Sequence, residues 1–225
     1  MTDAPLIESL RNAACYPHAV DAIRIVETHI SWIVLTGAIA YKIKKPVRFS
    51  FLDFSTLELR KYYCEEELRL NRRFAPELYL GLSTIRRDAS GAISIDTEVH
   101  GPIAEYAVRL RQFDRTQELD GLVEGGTVDA ELLREFGRKV ADTHASAATA
   151  HEPHHGTPDA IRSIVAGNVE ELGAADLPAD ESAIVNRVAS RLEALGQALH
   201  ETMLGRRERS CVRECHGDLH AGNVV

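Results

Sequence analysis

Several features that define special classes of protein are scarce or missing in this chain of 225 residues. It has 4 cysteines and no Asn-x-Ser/Thr acceptor, which excludes a disulfide-stapled scaffold and favours reduced thiols in a cytoplasm. The longest mostly apolar run, residues 30–41, is interrupted by polar residues and is shorter than the roughly 18 residues of a spanning helix. Asp3 and Glu8 stand where a signal peptide would be basic. The sequence therefore predicts a cytoplasmic protein that does not associate with a membrane.

An excess of basic charge is also absent. The chain has 26 Lys and Arg against 34 Asp and Glu, a formal net charge of −8. A net negative chain binds nucleic acid poorly without a local basic patch, so nucleic acid is not predicted as a partner. With 44% hydrophobic and 27% charged residues, the composition excludes collagen-like and wholly disordered chains.

The chain reads as strands in its first half and helices in its second. β-branched and apolar runs predict strands at residues 22–28, 31–36, 39–47, 82–87, 92–96 and 105–113. Helical periodicity predicts helices near residues 127–144, 158–172 and 182–204. The prediction is an α+β protein with two lobes: an N-lobe at residues 1–113, a hinge and linker at 114–126, and a helical C-lobe at 127–225.

One helix is predicted inside the N-lobe. Ser55 and Glu58 fit the S-x-x-E capping box, which satisfies two free N–H groups at a helix start. Residues then recur at helical spacing along one face: Leu59, Tyr63, Glu66, Leu70 and Phe74. This periodicity places the carboxylate of Glu66 on the predicted buried stripe.

The most informative motif lies in the last ten residues. The stretch from His216 to Asn223 fits the catalytic-loop pattern of kinases, H-x-D-L-x-x-x-N. In that chemistry Asp218 accepts the proton of an attacking hydroxyl, and Asn223 holds Mg²⁺ on the phosphates. We expect His216 to orient the loop rather than to transfer protons.

A lysine far upstream fits the same chemistry. An A-x-K pattern on the third predicted strand ends at Lys42, and a kinase needs such a lysine on the phosphates, held by a glutamate from the adjacent helix. Lys42 is preferred, but Lys44 points to the same side of the strand and remains an alternative. Glu66 is preferred over the adjacent Glu65 and Glu67 because it continues the apolar stripe.

Together these motifs resemble the aminoglycoside phosphotransferase family of small-molecule kinases, which has Gly at position 217 where protein kinases have Arg. Further stretches are similar to one bacterial branch of that family: Glu27-Thr-His-Ile-Ser-Trp, Tyr41-Lys-Ile-Lys-Lys-Pro-Val, Phe51-Leu-Asp-Phe-Ser-Thr and Cys64-Glu-Glu-Glu-Leu-Arg-Leu-Asn-Arg-Arg. The resemblance covers residues 6–225. In that branch a C-terminal P-loop ATPase domain is commonly fused to the kinase-like domain.

The resemblance implies a protein-kinase-like fold, with Mg²⁺ and ATP in a cleft between a five-stranded N-lobe and a helical C-lobe. No G-x-G-x-x-G loop is present, so phosphate contacts are expected from backbone N–H groups and from Thr28 or Ser31. The hinge that contacts adenine is expected within residues 107–114.

The resemblance also predicts that the chain is the front part of a longer protein. The aspartate of the D-F-G motif would follow Asn223 on the next strand, and only two residues follow Asn223 here. The C-lobe is therefore expected to be incomplete, its packing loose, and this chain alone not competent as a kinase.

The predicted function is ATP-dependent phosphoryl transfer to a hydroxyl of a small molecule. The alternative is a nucleotide-sensing pseudokinase module that regulates a fused or partner ATPase.

Overall fold

The computed structural model describes residues 4–49, 51–97, 101–150 and 152–225. Within them the chain is a mixed α+β protein, as predicted. The strands are β1 (Arg24–Glu27), β2 (Ser31–Leu35), β3 (Ile39–Lys44), β4 (Arg48–Phe49), β5 (Leu52–Asp53), β6 (Tyr79–Arg87), β7 (Ile93–Ile95) and β8 (Ile103–Arg111). The α-helices are α1 (Ala4–Ser9), α2 (Leu57–Asn71), α3 (Leu119–Glu124), α4 (Ala130–Ser146), α5 (Pro158–Ala174), α6 (Ala179–Ala198) and α7 (His200–Glu208).

A six-stranded antiparallel sheet in the order β1-β2-β3-β8-β6-β7 organises the first half of the chain. The resemblance implied five strands; the sheet has six, and β4 and β5 form a separate hairpin. Lys42 lies opposite Ile33 on β2 and Val108 on β8. Because side chains alternate along a strand, Lys42 and Lys44 share one face of β3 and Tyr41 shares the other face with Ile43.

Both faces of the sheet are covered. Tyr41 and Ile43, each fully buried, pack in a cluster with Leu6 and Leu10 from the N-terminal segment. On the other face α2 packs Cys64 and Leu68 against Val108. The lysine-bearing face of β3 is therefore the face that α2 covers.

Helix α2 begins one residue later than the capping box predicted. The side chain of Thr56, not Ser55, accepts the cap hydrogen bond from the Leu59 N–H at 3.2 Å. The Ser55 N–H and hydroxyl instead donate to Oδ1 of Asp53, 2.9 and 2.5 Å away. Asp53 thus competes for the groups of Ser55 that a capping box would use.

The chain divides into two compact units. The first, here called the sheet unit, contains Met1–Leu133 together with Asp218–Val225, and the second, the helical unit, contains Arg134–Gly217. The helix predicted at residues 182–204 is two helices, α6 and α7, which meet at Leu199. In the described part of the chain, no helix combines the length and apolar character needed to cross a membrane.

Candidate functional site

One carboxylate joins the two lysines of β3. Oε1 of Glu67 lies 2.8 Å from Nζ of Lys42, and Oε2 lies 2.7 Å from Nζ of Lys44. We call these three residues the shared-carboxylate cluster. It links a central strand of the sheet to the middle of α2, and it carries a net charge of +1 when all three groups are ionised.

The glutamate in this cluster is not the one predicted. Glu66 directly precedes Glu67 on α2. Its Oε2 accepts a hydrogen bond from Nη2 of Arg69, three residues further along the helix, at 2.8 Å. The buried residues of α2 are Arg60, Cys64 and Leu68, so the helix face toward the sheet is rotated from the predicted stripe. Glu67 belongs to that buried face, and the pairing predicted for Glu66 is wrong.

The two lysines differ in exposure. The side chain of Lys44 is 6% exposed and its Nζ lies 4.9 Å from the ring centroid of buried Phe54. The side chain of Lys42 is 30% exposed. Of the two lysine side chains, that of Lys42 is therefore the more accessible to a ligand from solvent.

Charge pairing overrides burial at Glu67. Burial alone would raise the pKa of this carboxyl group, but the ammonium groups of Lys42 and Lys44 lower the pKa from 4.5 to about 2. The same pairing raises the pKa of Lys42, against the opposing effect of burial. Glu67 and Lys42 are therefore both ionised near neutral pH.

Two further titratable groups lie near the cluster, and both are neutral near pH 7. Burial raises the pKa of Tyr79 on β6, and Glu67 raises it further. Burial raises the pKa of the Cys64 thiol to about 12. Glu67 is thus the group whose charge balances the two lysines.

A second buried ion pair holds α2 on the sheet. Nε of Arg60 lies 2.8 Å from Oε2 of Glu105 on β8, with side-chain exposures of 5% and 0%. Arg60 also donates to the carbonyl oxygen of Phe54 at 2.9 Å. Hydrogen bonds from α2 to β8 and to the segment before α2 therefore fix the helix that carries Glu67.

The turn between β1 and β2 contains the two hydroxyl residues predicted to contact phosphate. Oγ1 of Thr28 accepts from the Ser31 N–H at 3.0 Å and donates to the Ser31 carbonyl at 3.1 Å. Ser31 is 1% exposed, and its hydroxyl has no hydrogen-bond partner among the described residues. A phosphate contact from Ser31 would therefore require this turn to open.

The predicted catalytic loop closes on itself through Asn223. Its side-chain Nδ2 donates to the Asp218 carbonyl at 2.8 Å and lies 3.4 Å from Asp218 Oδ2. Gly217 has a φ of +81°, which a glycine adopts without strain. The carboxylate of Asp218 is 84% exposed. The loop therefore brings together the predicted base and the predicted metal ligand.

The part of this loop from Asp218 onward belongs to the sheet unit, the unit that also contains the shared-carboxylate cluster. The Leu119 N–H at the start of α3 donates to the Val224 carbonyl at 2.9 Å. Asp120 lies close to Gly222, where a Cβ would come within 3.1 Å of its Oδ2. Helix α3 thus supports the end of the loop.

The donor atoms of the loop suit a magnesium ion carried by a nucleotide. Asn223 uses its amide N–H to bond Asp218, which leaves its side-chain carbonyl oxygen as a possible metal ligand. Mg²⁺ prefers one or two such oxygens together with phosphate oxygens and water. Among the described residues, no group of three or more His, Cys, Asp or Glu side chains is placed to hold a metal ion by itself.

The predicted hinge follows the end of β8. The Gln112 N–H donates to the Ala38 carbonyl at 2.9 Å, and Gln112 Oε1 accepts from the Gly37 N–H at 3.0 Å. These bonds tie Gln112, the residue directly after β8, to the β2–β3 turn. Adenine contact within residues 107–114 stays a prediction.

Comparison with known proteins finds only distant relatives. The chain is 27% identical, over 203 residues, to uncharacterized proteins of Mycobacterium tuberculosis and Mycobacterium bovis. The matched region covers 90% of this chain and 39% of each relative, so the chain spans about two fifths of their length. No family model matches the chain. No solved structure matches it either.

Proposed function

We propose that this protein is an ATP-dependent phosphotransferase, a member of the aminoglycoside phosphotransferase family with the two-lobed fold of protein kinases. The acceptor would be a hydroxyl group of a small molecule. The observation that carries the proposal is the ion pair between Lys42 on a central strand and Glu67 on the adjacent helix. The sequence motifs call for a lysine and a helical glutamate at these two elements.

Each residue has one task in this proposal. Lys42, whose side chain is partly exposed, binds the phosphates through its ammonium group, and Glu67 keeps that group in place. Asp218 orients the acceptor hydroxyl and takes up its proton, and its exposed carboxylate is accessible to such a substrate. Asn223 holds the position of Asp218 through its amide and offers its oxygen to the metal. Mg²⁺, when bound, neutralises charge on the phosphates.

Removal of the proposed base tests the assignment. In the longer protein expected from the sequence motifs, Asp218→Ala should reduce transfer of radiolabelled phosphate from ATP to hydroxylated acceptors by on the order of 10²–10⁴-fold. The affinity for Mg·ATP should change by less than about threefold, because in this proposal Asp218 contacts the acceptor, whereas Lys42 binds the phosphates. His220→Ala is the matched control, since this neighbouring side chain lies 3.9 Å from Asp218 Oδ2 and has no assigned task.

The outcome also separates the alternative function. Undiminished transfer by Asp218→Ala would remove Asp218 from the mechanism. Tight binding of Mg·ATP without transfer to any acceptor in the screen would favour a nucleotide sensor. In that case the regulated partner would be a P-loop ATPase domain, either fused to the chain or separate from it.

A further inference from the structure

The shared-carboxylate cluster contains two lysines, one more than is needed to bind the phosphates of a nucleotide. Each oxygen of Glu67 pairs with a different lysine, so both lysines stabilise the same carboxylate. The side chain of Lys42 is 30% exposed, whereas that of Lys44 is 6% exposed and lies between Glu67 and the ring of Phe54. The structure therefore separates a more accessible lysine from an enclosed one.

Binding of a phosphate at Lys42 would place negative charge beside Glu67. An ammonium group has three donors, and a phosphate oxygen would compete with Glu67 Oε1 for them. A buried carboxylate that loses its partner or gains a negative neighbour takes up a proton. Lys44 remains on Oε2 whatever Lys42 does, because no ligand reaches its buried ammonium group.

We infer that Lys44 is a positioning residue: it keeps Glu67 ionised and in place while Lys42 binds the phosphates of a nucleotide. This inference rests on the proposed function and assigns the role of the second lysine within the same site. Without Lys44, binding of the nucleotide should be coupled to protonation of Glu67.

The surrounding groups do not obscure this coupling. Lys42 and Lys44 face Glu67 from β3, Tyr79 faces it from β6, and Cys64 lies on the same helix. Burial raises the pKa of both Tyr79 and Cys64, so neither group gains a proton between pH 6 and 8. A proton taken up in that range at this site would therefore be on Glu67.

The experiment is calorimetric titration of the whole chain with Mg·ATP in buffers of different ionisation enthalpy. This measures both the affinity and the number of protons taken up. Lys44→Met should take up on the order of half a proton more than wild type at pH 6.5. Its affinity should be about tenfold weaker than wild type at pH 8 and should approach the wild-type value at pH 6. Protons from the nucleotide itself are common to all variants and cancel in the difference.

Three variants identify the source of the proton. Lys44→Arg keeps the positive charge and should restore wild-type proton uptake. The double variant Lys44→Met/Glu67→Gln has no carboxylate to protonate and should lose the additional uptake. Lys45→Met is the matched control, because Lys45 pairs with exposed Glu27 and lies outside the cluster. If Lys44→Met does not fold, Lys44→Gln removes the same charge with a side chain that can still donate to Oε2.

The results distinguish this inference from the proposed function. If the Lys44 variants bind Mg·ATP with wild-type affinity and proton uptake, the role of Lys44 is refuted and the proposed function stands. If extra uptake persists in the double variant, the proton is not on Glu67 and the inference is also refuted. Absence of Mg·ATP binding in wild type would overturn the proposed function and this inference together.

Discussion

At the scale of single residues, Glu67 has the largest expected effect on stability within the candidate site. Glu67→Gln leaves two buried ammonium groups with one neutral partner, and the side chain it replaces is 12% exposed. We expect the free energy of unfolding at pH 7 to fall by about 3 kcal/mol. Glu66→Gln, on the same helix with 29% side-chain exposure, should cost less than about 1 kcal/mol. Urea unfolding of both variants measures the difference, and equal losses would contradict the assignment of Glu67.

The contribution of Glu67 should also depend on pH in a defined direction. Its pKa is lowered from 4.5 in the unfolded chain to about 2 in the folded protein. The stability that it contributes is therefore fully present above pH 4.5 and is lost as the pH falls toward 2. The difference in unfolding free energy between wild type and Glu67→Gln should shrink steadily over that interval, for as long as wild type remains folded. A difference that stays constant from pH 6 to 3 would show that Glu67 keeps an ordinary pKa.

Only part of this cluster could be predicted from the sequence. Strand alternation correctly places Lys42 and Lys44 on one face, since that inference needs only the period of a strand. The choice of Glu66 failed because it followed apolar residues around α2, whereas the buried face includes charged side chains. Arg60 and Glu67 are buried because their partners, Glu105 and the two lysines, come from distant strands. The pattern E-E-E at residues 65–67 could not reveal those partners.

At the scale of elements, the start of α2 offers a direct test of the observed cap. Thr56→Ala removes the side-chain oxygen that accepts from the Leu59 N–H, and we expect a loss of about 1 kcal/mol in unfolding free energy. Ser55→Ala removes a hydroxyl that bonds only the exposed Asp53 side chain and should cost less than half as much. The two variants are compared by urea unfolding at pH 7. A larger loss for Ser55→Ala would restore Ser55 as the cap.

At the same scale, the sequence predicted every strand of the main sheet and the long helices, but not the six-residue helices α1 and α3. All six strands of the main sheet were predicted, although their ends differ by a few residues. The hairpin β4–β5 was missed because each of its strands has two residues, and two residues cannot show the alternation of apolar and polar side chains that indicates a strand. The break at Leu199 was missed because apolar spacing continues across it and no proline follows; Gly196, three residues earlier, lies within α6 and does not mark its end.

At the scale of the whole molecule, burial is distributed unevenly. Within the described residues, fully buried apolar side chains lie mostly in the sheet unit, in the clusters on the two faces of the sheet. In the helical unit, α6 and α7 have no fully buried residue. A groove of about 180 Å³ between α5 and α6 is lined almost entirely by apolar side chains, among them Val169 and Leu192. Amphipathic spacing predicted these helices, but it does not specify what covers their apolar faces.

This distribution predicts unequal protection from hydrogen exchange in the two units. Ile164 on α5 is 65% exposed, and Ile184 on α6 is 50% exposed, so opening these helices exposes little additional apolar surface. Strands β3 and β8 carry Tyr41, Ile43 and Val108 at 0% exposure, so their amides should exchange only through global unfolding. We expect amides in α5 and α6 to exchange on the order of 100-fold faster than those in β3 and β8, relative to the rates of an unstructured chain. Exchange followed by mass spectrometry of peptides from each element measures this ratio. Equal protection of α5 and β3 would show that the two units unfold as one cooperative structure, despite the exposed apolar side chains of the helical unit.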